Sequence, residues 1–374
     1  MKNFLAVTAP GIEEILNAEL KELGIKTGKK IPGGVEFRGS TADLQRANLW
    51  SRTANRVVER VDEFHASTFY ELERRAKKIE WGKFLTSGSS VRFRVTCRKS
   101  RLYHSDAVAE RLQKAANRAI GAKITDDAGD DENESDSQLF IVRLSDDICT
   151  ISADSSGQLL HRRGYRQAIA KAPLRETIAA AMLLGSKWDT KSPLVDPMCG
   201  SGTIAIEGAM LARKMAPGLD RTFAFEQWPD HDEAAWKKSV DEARNLALPK
   251  APGPILGSDR DAGAITAAQS NAERAGVVAD VDFSQRAISA VEFPDTPGWI
   301  VTNPPYGLRV GESSTLRNLY SQMGKILRGP AKGYLLALLS ADRELDVQLR
   351  LELSEVFRTT NGGIPVRLVT GIEM

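Results

Sequence analysis

Residues 193–211 restrict the fold more than any other stretch. Pro193-Leu194-Val195-Asp196 reads as a short apolar strand ending on a carboxylate, Pro197 to Thr203 as a turn with two glycines, and Ile204 to Leu211 as an apolar helix. Strand, glycine turn and helix in that order build a βαβ crossover, and so a parallel sheet with helices on its faces. Ligands bind such sheets outside the carboxyl ends of the strands, which makes this turn a candidate cofactor site. Gly200 and Gly202 let backbone come within contact distance of a ligand, and Asp196 can pair a cationic amine.

Other readings of the same residues stay open. A phosphate loop needs a lysine before Thr203, where Gly202 stands instead. Gly200-Ser201-Gly202-Thr203-Ile204-Ala205 meets the permissive dinucleotide pattern, but Asp196 would repel a pyrophosphate, and no acid ends a strand about 20 residues on. A tight strand–helix turn without any ligand also satisfies this segment taken alone.

Further strand ends narrow the choice. Pro254-Ile255-Leu256-Gly257-Ser258-Asp259 ends on an acid before a helix from Ala262 to Ala275, the position from which a carboxylate can accept both protons of a ribose diol. Val281-Asp282-Phe283 is a third strand. Ile300-Val301-Thr302 is a fourth, stopped by Asn303-Pro304-Pro305-Tyr306, where two prolines prevent both strand continuation and a helix interior. That stiff loop offers an amide, two carbonyls and a ring to a base-sized target.

With 374 residues the chain has room for two or three domains, and 42% hydrophobic and 27% charged residues suit a soluble protein. No run of about 18 apolar residues exists, and the first residues read as a strand, so neither a membrane span nor a signal peptide is expected and a cytoplasmic location is. Cys97, Cys149 and Cys199 are far apart, as are the four histidines, which supports neither a disulfide, a metal site nor a Ser-His-Asp triad. The formal charge of +2 gives no global case for nucleic acid, so that case rests on local patches.

Residues 1 to about 60 read as strand, helix, strand, helix, with Thr41 as the cap of the second helix. From about 60 to 155 a second α/β unit follows. In it Val91 to Cys97 alternates as a half-exposed strand with Arg92 and Arg94 outward, and Leu139 to Leu144 pairs with Cys149 to Asp154. Arg98, Lys99, Arg101, Tyr103 and His104 make a basic stretch with an interleaved aromatic, which fits RNA backbone contact and an ordinary solvated face equally well. The acidic tract from Asp126 to Asp136 has no apolar anchor and reads as a solvated loop. A connector then carries Arg162, Arg163 and Arg166, and Pro173 opens a helix closed by Gly185.

The motifs Asp196 to Thr203, Gly257-Ser258-Asp259 and Asn303-Pro304-Pro305-Tyr306-Gly307 resemble those of class I S-adenosylmethionine-dependent methyltransferases. With Leu160 to Arg166, Ala172 to Thr177, Pro217 to Arg221 and Asn361-Gly362-Gly363 added, nearly the whole chain resembles the THUMP-domain RNA guanine-N2 methyltransferases of bacterial 23S ribosomal RNA and of tRNA. The resemblance implies an α/β chain: a ferredoxin-like domain over residues 1–60, a THUMP RNA-binding domain over 61–155, a linker over 156–172, and a Rossmann-like methyltransferase domain with a seven-stranded sheet over 173–374.

Carried over by residue, the resemblance assigns S-adenosylmethionine to Asp196, Pro197, Gly200, Ser201, Gly202, Thr203, Asp259, Arg260, Thr177 and Asn303. It assigns the target base to Asn303, Pro304 and Tyr306, while the basic patches themselves make Arg98, Lys99, Arg101, Arg162, Arg163 and Arg166 candidates for RNA contact. It implies no metal, and the oligomeric state is unassigned. Where relatives place an Asp after the third strand for the adenine amine, this chain has Ser284-Gln285-Arg286-Ala287, which points to Gln285 or a backbone group. The alternatives are adenine-N6 methylation of nucleic acid, which the same loop would serve, and a non-catalytic RNA-binding or ribosome-assembly factor. The insertion from Arg213 to Pro254 is expected to pack as a helical elaboration on the sheet, with its aromatics as secondary candidates for RNA contact.

Overall fold

The computed structural model describes residues 1–121, 123–124, 137–167, 174–306 and 313–372. The acidic tract over 126–136 and the helix start expected at Pro173 lie outside the described residues; the helix itself runs Glu176–Gly185.

Two sheets organise the chain. The first contains β1 (Lys2–Val7), β2 (Thr27–Ile31), β3 (Gly34–Gly39), β4 (Arg56–His65), β5 (Ser90–Arg98), β6 (Lys123–Ile124), β7 (Gln138–Ser145) and β8 (Ile148–Asp154), in the order β2-β3-β1-β4-β8-β7-β5-β6. The ten-residue β4 pairs β1 through Arg56 to Glu59 and β8 through Val58 to His65, so the two expected N-terminal units share one continuous sheet. Helices Glu13–Glu22, Thr41–Trp50, Phe69–Ala76 and Ser105–Ile120 bury their apolar stripes against one face of it. The second of these helices is capped by Ser40, not Thr41: Ser40 and Asp43 exchange side-chain and backbone hydrogen bonds as a capping box.

The second sheet contains β9 (Leu194–Asp196), β10 (Ile255–Asp259), β11 (Val281–Gln285), β12 (Trp299–Thr302), β13 (Leu335–Ser340), β14 (Leu353–Asn361) and β15 (Ile364–Gly371), in the order β11-β10-β9-β12-β13-β15-β14. The first five run parallel and β15 is antiparallel to both neighbours, which gives the seven-stranded Rossmann-like arrangement expected of 173–374. Val195, Ile300, Leu336 and Leu338 are buried on both-sided strands, hence the continuous apolar runs in the sequence.

The insertion between the helix Thr203–Ala212 and β10 departs from expectation. Phe223, Phe225, Trp228 and Trp236 join the core of the first sheet, not the second, and all four are buried, so RNA contact by them is corrected to a packing role. Trp228 meets Phe84 edge to face at 5.1 Å, and its indole N–H donates to the Gln138 side chain at 2.8 Å. Leaving this segment apolar and unpaired would expose four large rings, and the first sheet provides the surface that covers them. Ile12 reciprocates by entering the core of the second sheet.

Replacing Trp228 by Ala removes a buried ring and orphans the Gln138 carbonyl. Chemical denaturation of the variant should show a stability loss of roughly 3–5 kcal/mol, a size reserved for a ring packed in a core and absent if it lies on the surface.

Candidate active site

Asp196 ends β9 with 1% of its surface exposed. Its Oδ1 accepts from the Thr302 hydroxyl at 2.7 Å and from the Met198 N–H at 3.3 Å. Burial pushes its carboxyl up to about 7, the two hydrogen bonds opposing and the nearby Asp259 charge adding to the rise.

The glycine turn is clipped to the next strand. The Cys199 N–H donates to the Ser258 carbonyl at 2.9 Å, and the Gly200 N–H donates to Asp259 Oδ2 at 3.0 Å. The other carboxylate oxygen of Asp259 accepts from the Asp261 N–H at 3.0 Å, so the group is fixed while each oxygen keeps a further lone pair. The two glycines answer different demands. Gly202, at φ +83°, sits where a Cβ would lie 3.0 Å from the Ala268 Cβ and 3.1 Å from the Phe283 ring. Gly200, at φ +50°, faces open space, with nothing within 4 Å of a Cβ built on it.

On the other side of β9 the loop after β12 begins. The Tyr306 hydroxyl donates to Asn303 Oδ1 at 2.5 Å and accepts from Asn361 Nδ2 at 3.2 Å. Burial pushes the Tyr306 phenol up to about 12, so it carries its proton across the ordinary pH range. Its ring is half-buried against the second sheet's core, and Pro304 is buried beside it. The carboxyl edge therefore presents, strand by strand, Gln285, Asp259, Asp196 and Asn303. Gln285 pairs in register with Asp259, and its amide donates to the Arg260 carbonyl at 3.3 Å.

The other expected residues differ in exposure and partners. Pro197, Ser201 and Thr203 are buried in or behind the turn, and Arg260 is exposed beyond β10. Thr177 is buried, and its hydroxyl donates to the Asn55 side chain at 2.9 Å, which ties the two halves of the chain together. Two arginines expected to meet RNA are corrected. Arg163 is buried, donating to the Arg52 carbonyl at 2.6 Å and pairing with Glu207 at 3.5 Å; Arg166 pairs with Glu176 at 3.2 Å and donates to Thr203 Oγ1 at 3.2 Å. Buried Glu207 and Glu176 require cationic partners, and that demand turns both guanidiniums inward. Arg162 is half-buried, whereas Arg98, Lys99 and Arg101 are exposed, as are Tyr103 and His104.

A family model described as RMKL-like, methyltransferase domain matches residues 163–370, and one described as RlmL ferredoxin-like domain matches residues 3–58. The chain belongs to the RMKL-like methyltransferase family. A relative in Synechocystis sp., provisionally named an RNA methyltransferase, is 33% identical over 367 residues, covering 98% of this chain and 95% of that one. A ribosomal RNA large subunit methyltransferase K/L of Methylococcus capsulatus is 35% identical over 383 residues; this chain spans 50% of its length. A solved structure of a provisionally named methyltransferase, complexed with SAH, is 30% identical with a TM-score of 0.88, covering 100% of this chain and 98% of that one.

In this RMKL-like methyltransferase two residues to which the sequence assigned no site role join the site. Thr302 stood out only as a polar end to an apolar run, and its buried hydroxyl joins β12 to Asp196. Asn361 arrives from β14, 55 positions from Tyr306, and no local pattern announces that contact.

Thr302→Val keeps the shape and removes the donor to a buried carboxylate. Denaturation should register a loss of roughly 1–3 kcal/mol, the penalty for an unmade hydrogen bond to a buried polar group; an unchanged midpoint would show that Asp196 does not depend on Thr302.

Proposed function

We propose that this chain methylates the exocyclic N2 amine of a guanine in RNA, in the cytoplasm, with 23S ribosomal RNA as the favoured species. S-adenosylmethionine is the methyl donor of this family's fold. The residues here suit it. Asp196 is a buried carboxylate held near neutrality for want of a cation, Gly200 borders open space, and Asp259 has both oxygens oriented by backbone N–H groups with lone pairs to spare. Asp196 and the Gly200 to Thr203 turn would hold the methionine end, Asp259 the ribose, and Gln285 the adenine edge. Bound there, the donor supplies an electrophilic methyl group.

The observation that carries the reading is the carboxamide of Asn303 standing one residue beyond Thr302, itself bonded to Asp196. A guanine amine is a weak nucleophile because its lone pair is delocalised into the ring. Asn303 Oδ1 and the Pro304 carbonyl can each accept one of its N–H bonds, which turns the nitrogen lone pair toward the donor side; this is catalysis by positioning. Asn303 Oδ1 already accepts from Tyr306, and a carbonyl oxygen has a second lone pair for the substrate. The proton leaves after transfer, so no base need act beforehand. The Tyr306 ring offers a stacking face to a base removed from its own stack. The exposed Arg98, Lys99 and Arg101 fit phosphate contact, and the name of the Methylococcus relative favours ribosomal RNA.

Asn303→Ala should lower methyl transfer to RNA by about 10²–10³-fold, on the scale of losing one preorganised polar group, with a much smaller effect on S-adenosylmethionine affinity. Nucleoside mass spectrometry of the product should give N2-methylguanosine; N6-methyladenosine instead would sink the guanine reading. Cofactor binding should also follow Asp196. Its folded carboxyl lies above its ordinary value, so the free fold loses stability as pH rises through that interval, and the ionised form that pairs an ammonium dominates above about 7. Calorimetric affinity should therefore fall by about tenfold per pH unit below that point and level off above it, with Asp196→Asn flattening the profile.

A further inference from the structure

Ser201 stands between two glycines of positive φ, Gly200 at +50° and Gly202 at +83°. Glycine passes freely between backbone regions, so a peptide plane flanked by two of them keeps one orientation only where other groups fix both its ends. Both ends of the Ser201–Gly202 peptide are fixed. The Gly202 N–H turns back to the Cys199 carbonyl at 2.8 Å, and the Ser201 carbonyl accepts from Asn271 Nδ2 at 3.0 Å. Asn271 lies fully buried in the helix Ala262–Arg274.

A carboxamide that turns over exchanges its donor for its acceptor. Arg274, in the next turn of the same helix, prevents this. Its guanidinium donates through Nη2 to Asn271 Oδ1 at 2.5 Å and through Nε to the Tyr165 carbonyl at 2.7 Å. A turned-over Asn271 would set its NH2 against that guanidinium and its oxygen against the Ser201 carbonyl. Tyr165 is itself a buried residue of the connector, and its neighbour Arg166 donates to Thr203 Oγ1 at 3.2 Å. Two consecutive connector residues therefore hold the glycine turn from both ends: Arg166 directly at Thr203, and Tyr165 by way of Arg274 and Asn271 at Ser201. Arg274 is exposed, unlike the arginines of the connector that are paired with buried acids, so its removal leaves no buried carboxylate without a cation.

We propose that Arg274 is a positioning residue for the methyl donor, fixing the Asn271 carboxamide and through it the Ser201–Gly202 peptide of the turn. The inference rests on the reading that this turn holds the methionine end of S-adenosylmethionine, and it adds a determinant that lies outside the turn. A backbone already ordered spares the donor the cost of ordering it on binding, so the contribution of Arg274 falls on donor affinity more than on the transfer step.

The test uses the full chain, calorimetry with S-adenosylmethionine, and amide hydrogen exchange of residues 197–203 in the donor-free protein. Arg274→Ala should weaken donor affinity roughly fivefold, the scale of one hydrogen bond's net contribution. The KM for the donor should rise by the same factor while kcat moves much less, and exchange of the turn should quicken while that of β13 stays as it was. Arg274→Lys keeps the charge at the helix end but cannot fork to two acceptors, so it should recover only part of the affinity. In an Asn271→Leu background Arg274→Ala should have no further effect on donor affinity, as action through a shared path requires. Native affinity and exchange in Arg274→Ala, full recovery by Arg274→Lys, or the same loss of affinity in both backgrounds would overturn the proposal. A native chain that binds no S-adenosylmethionine would strike the cofactor reading instead, and exchange of the donor-free turn would still judge Arg274.

Discussion

The hydrogen bond from Thr302 to Asp196 is the contact on which the rest of the catalytic sheet is arranged. A carboxylate at the end of a buried parallel strand has lost its water, and a fold that keeps it there must supply donors. Thr302, at the end of the adjacent β12, supplies one at 2.7 Å, and the Met198 N–H of the turn supplies another. Because Thr302 is followed directly by Asn303, the same bond that satisfies Asp196 fixes where the Asn303 to Tyr306 loop departs. The glycine turn and that loop are thus adjusted to each other through two neighbouring strand ends, with no intervening helix to bend.

The N-terminal half is joined to this edge by polar contacts that are largely buried. Arg52 donates to the carbonyls of Met210 and Met215, at 3.3 and 2.5 Å, where the helix that follows the glycine turn ends. Arg163 receives its place from the Arg52 carbonyl and from Glu207 on that helix, and Tyr165 donates to the same Glu207 at 3.2 Å. Such networks add little net stability over an apolar interface, but a mispaired buried charge is severe, so they favour one relative placement of the two halves. That placement matters if one half grips RNA and the other modifies it.

The sheet that makes the site was legible because its strands are buried on both faces and end on Asp196, Asp259 and Asn303, where apolar runs stop at polar residues. The basic connector was not legible, since composition records three arginines but not which carboxylates share their burial. Arg163 and Arg166 have the same sequence signature as surface RNA contacts, and only Glu207 and Glu176, brought from other segments, decide that they turn inward. The aromatics of 213–254 misled for a related reason: amphipathic patterning shows that Trp228 must be covered, and the covering residue, Phe84, lies over a hundred positions away in the core of the other sheet. Likewise the boundary expected near residue 60 falls inside β4, and nothing local states that the two ends of that strand pair different partners.

The closing hairpin of β14 and β15 has a role beyond completing the sheet. Since β15 runs antiparallel to β13, β14 points the same way as the parallel strands, and its last residue, Asn361, comes to the carboxyl edge. There it donates to the Tyr306 hydroxyl, which can then direct its own proton only to Asn303. The relay sets the Asn303 carboxamide with its oxygen toward Tyr306 and consumes one of that oxygen's two lone pairs. On the proposed function, an incoming amine N–H would meet a single remaining direction of approach, which a freely turning carboxamide would not impose. Orientation of the Asn303 carboxamide is in this way delegated to β14, and the burial of Asn361 keeps water from competing for the Tyr306 oxygen.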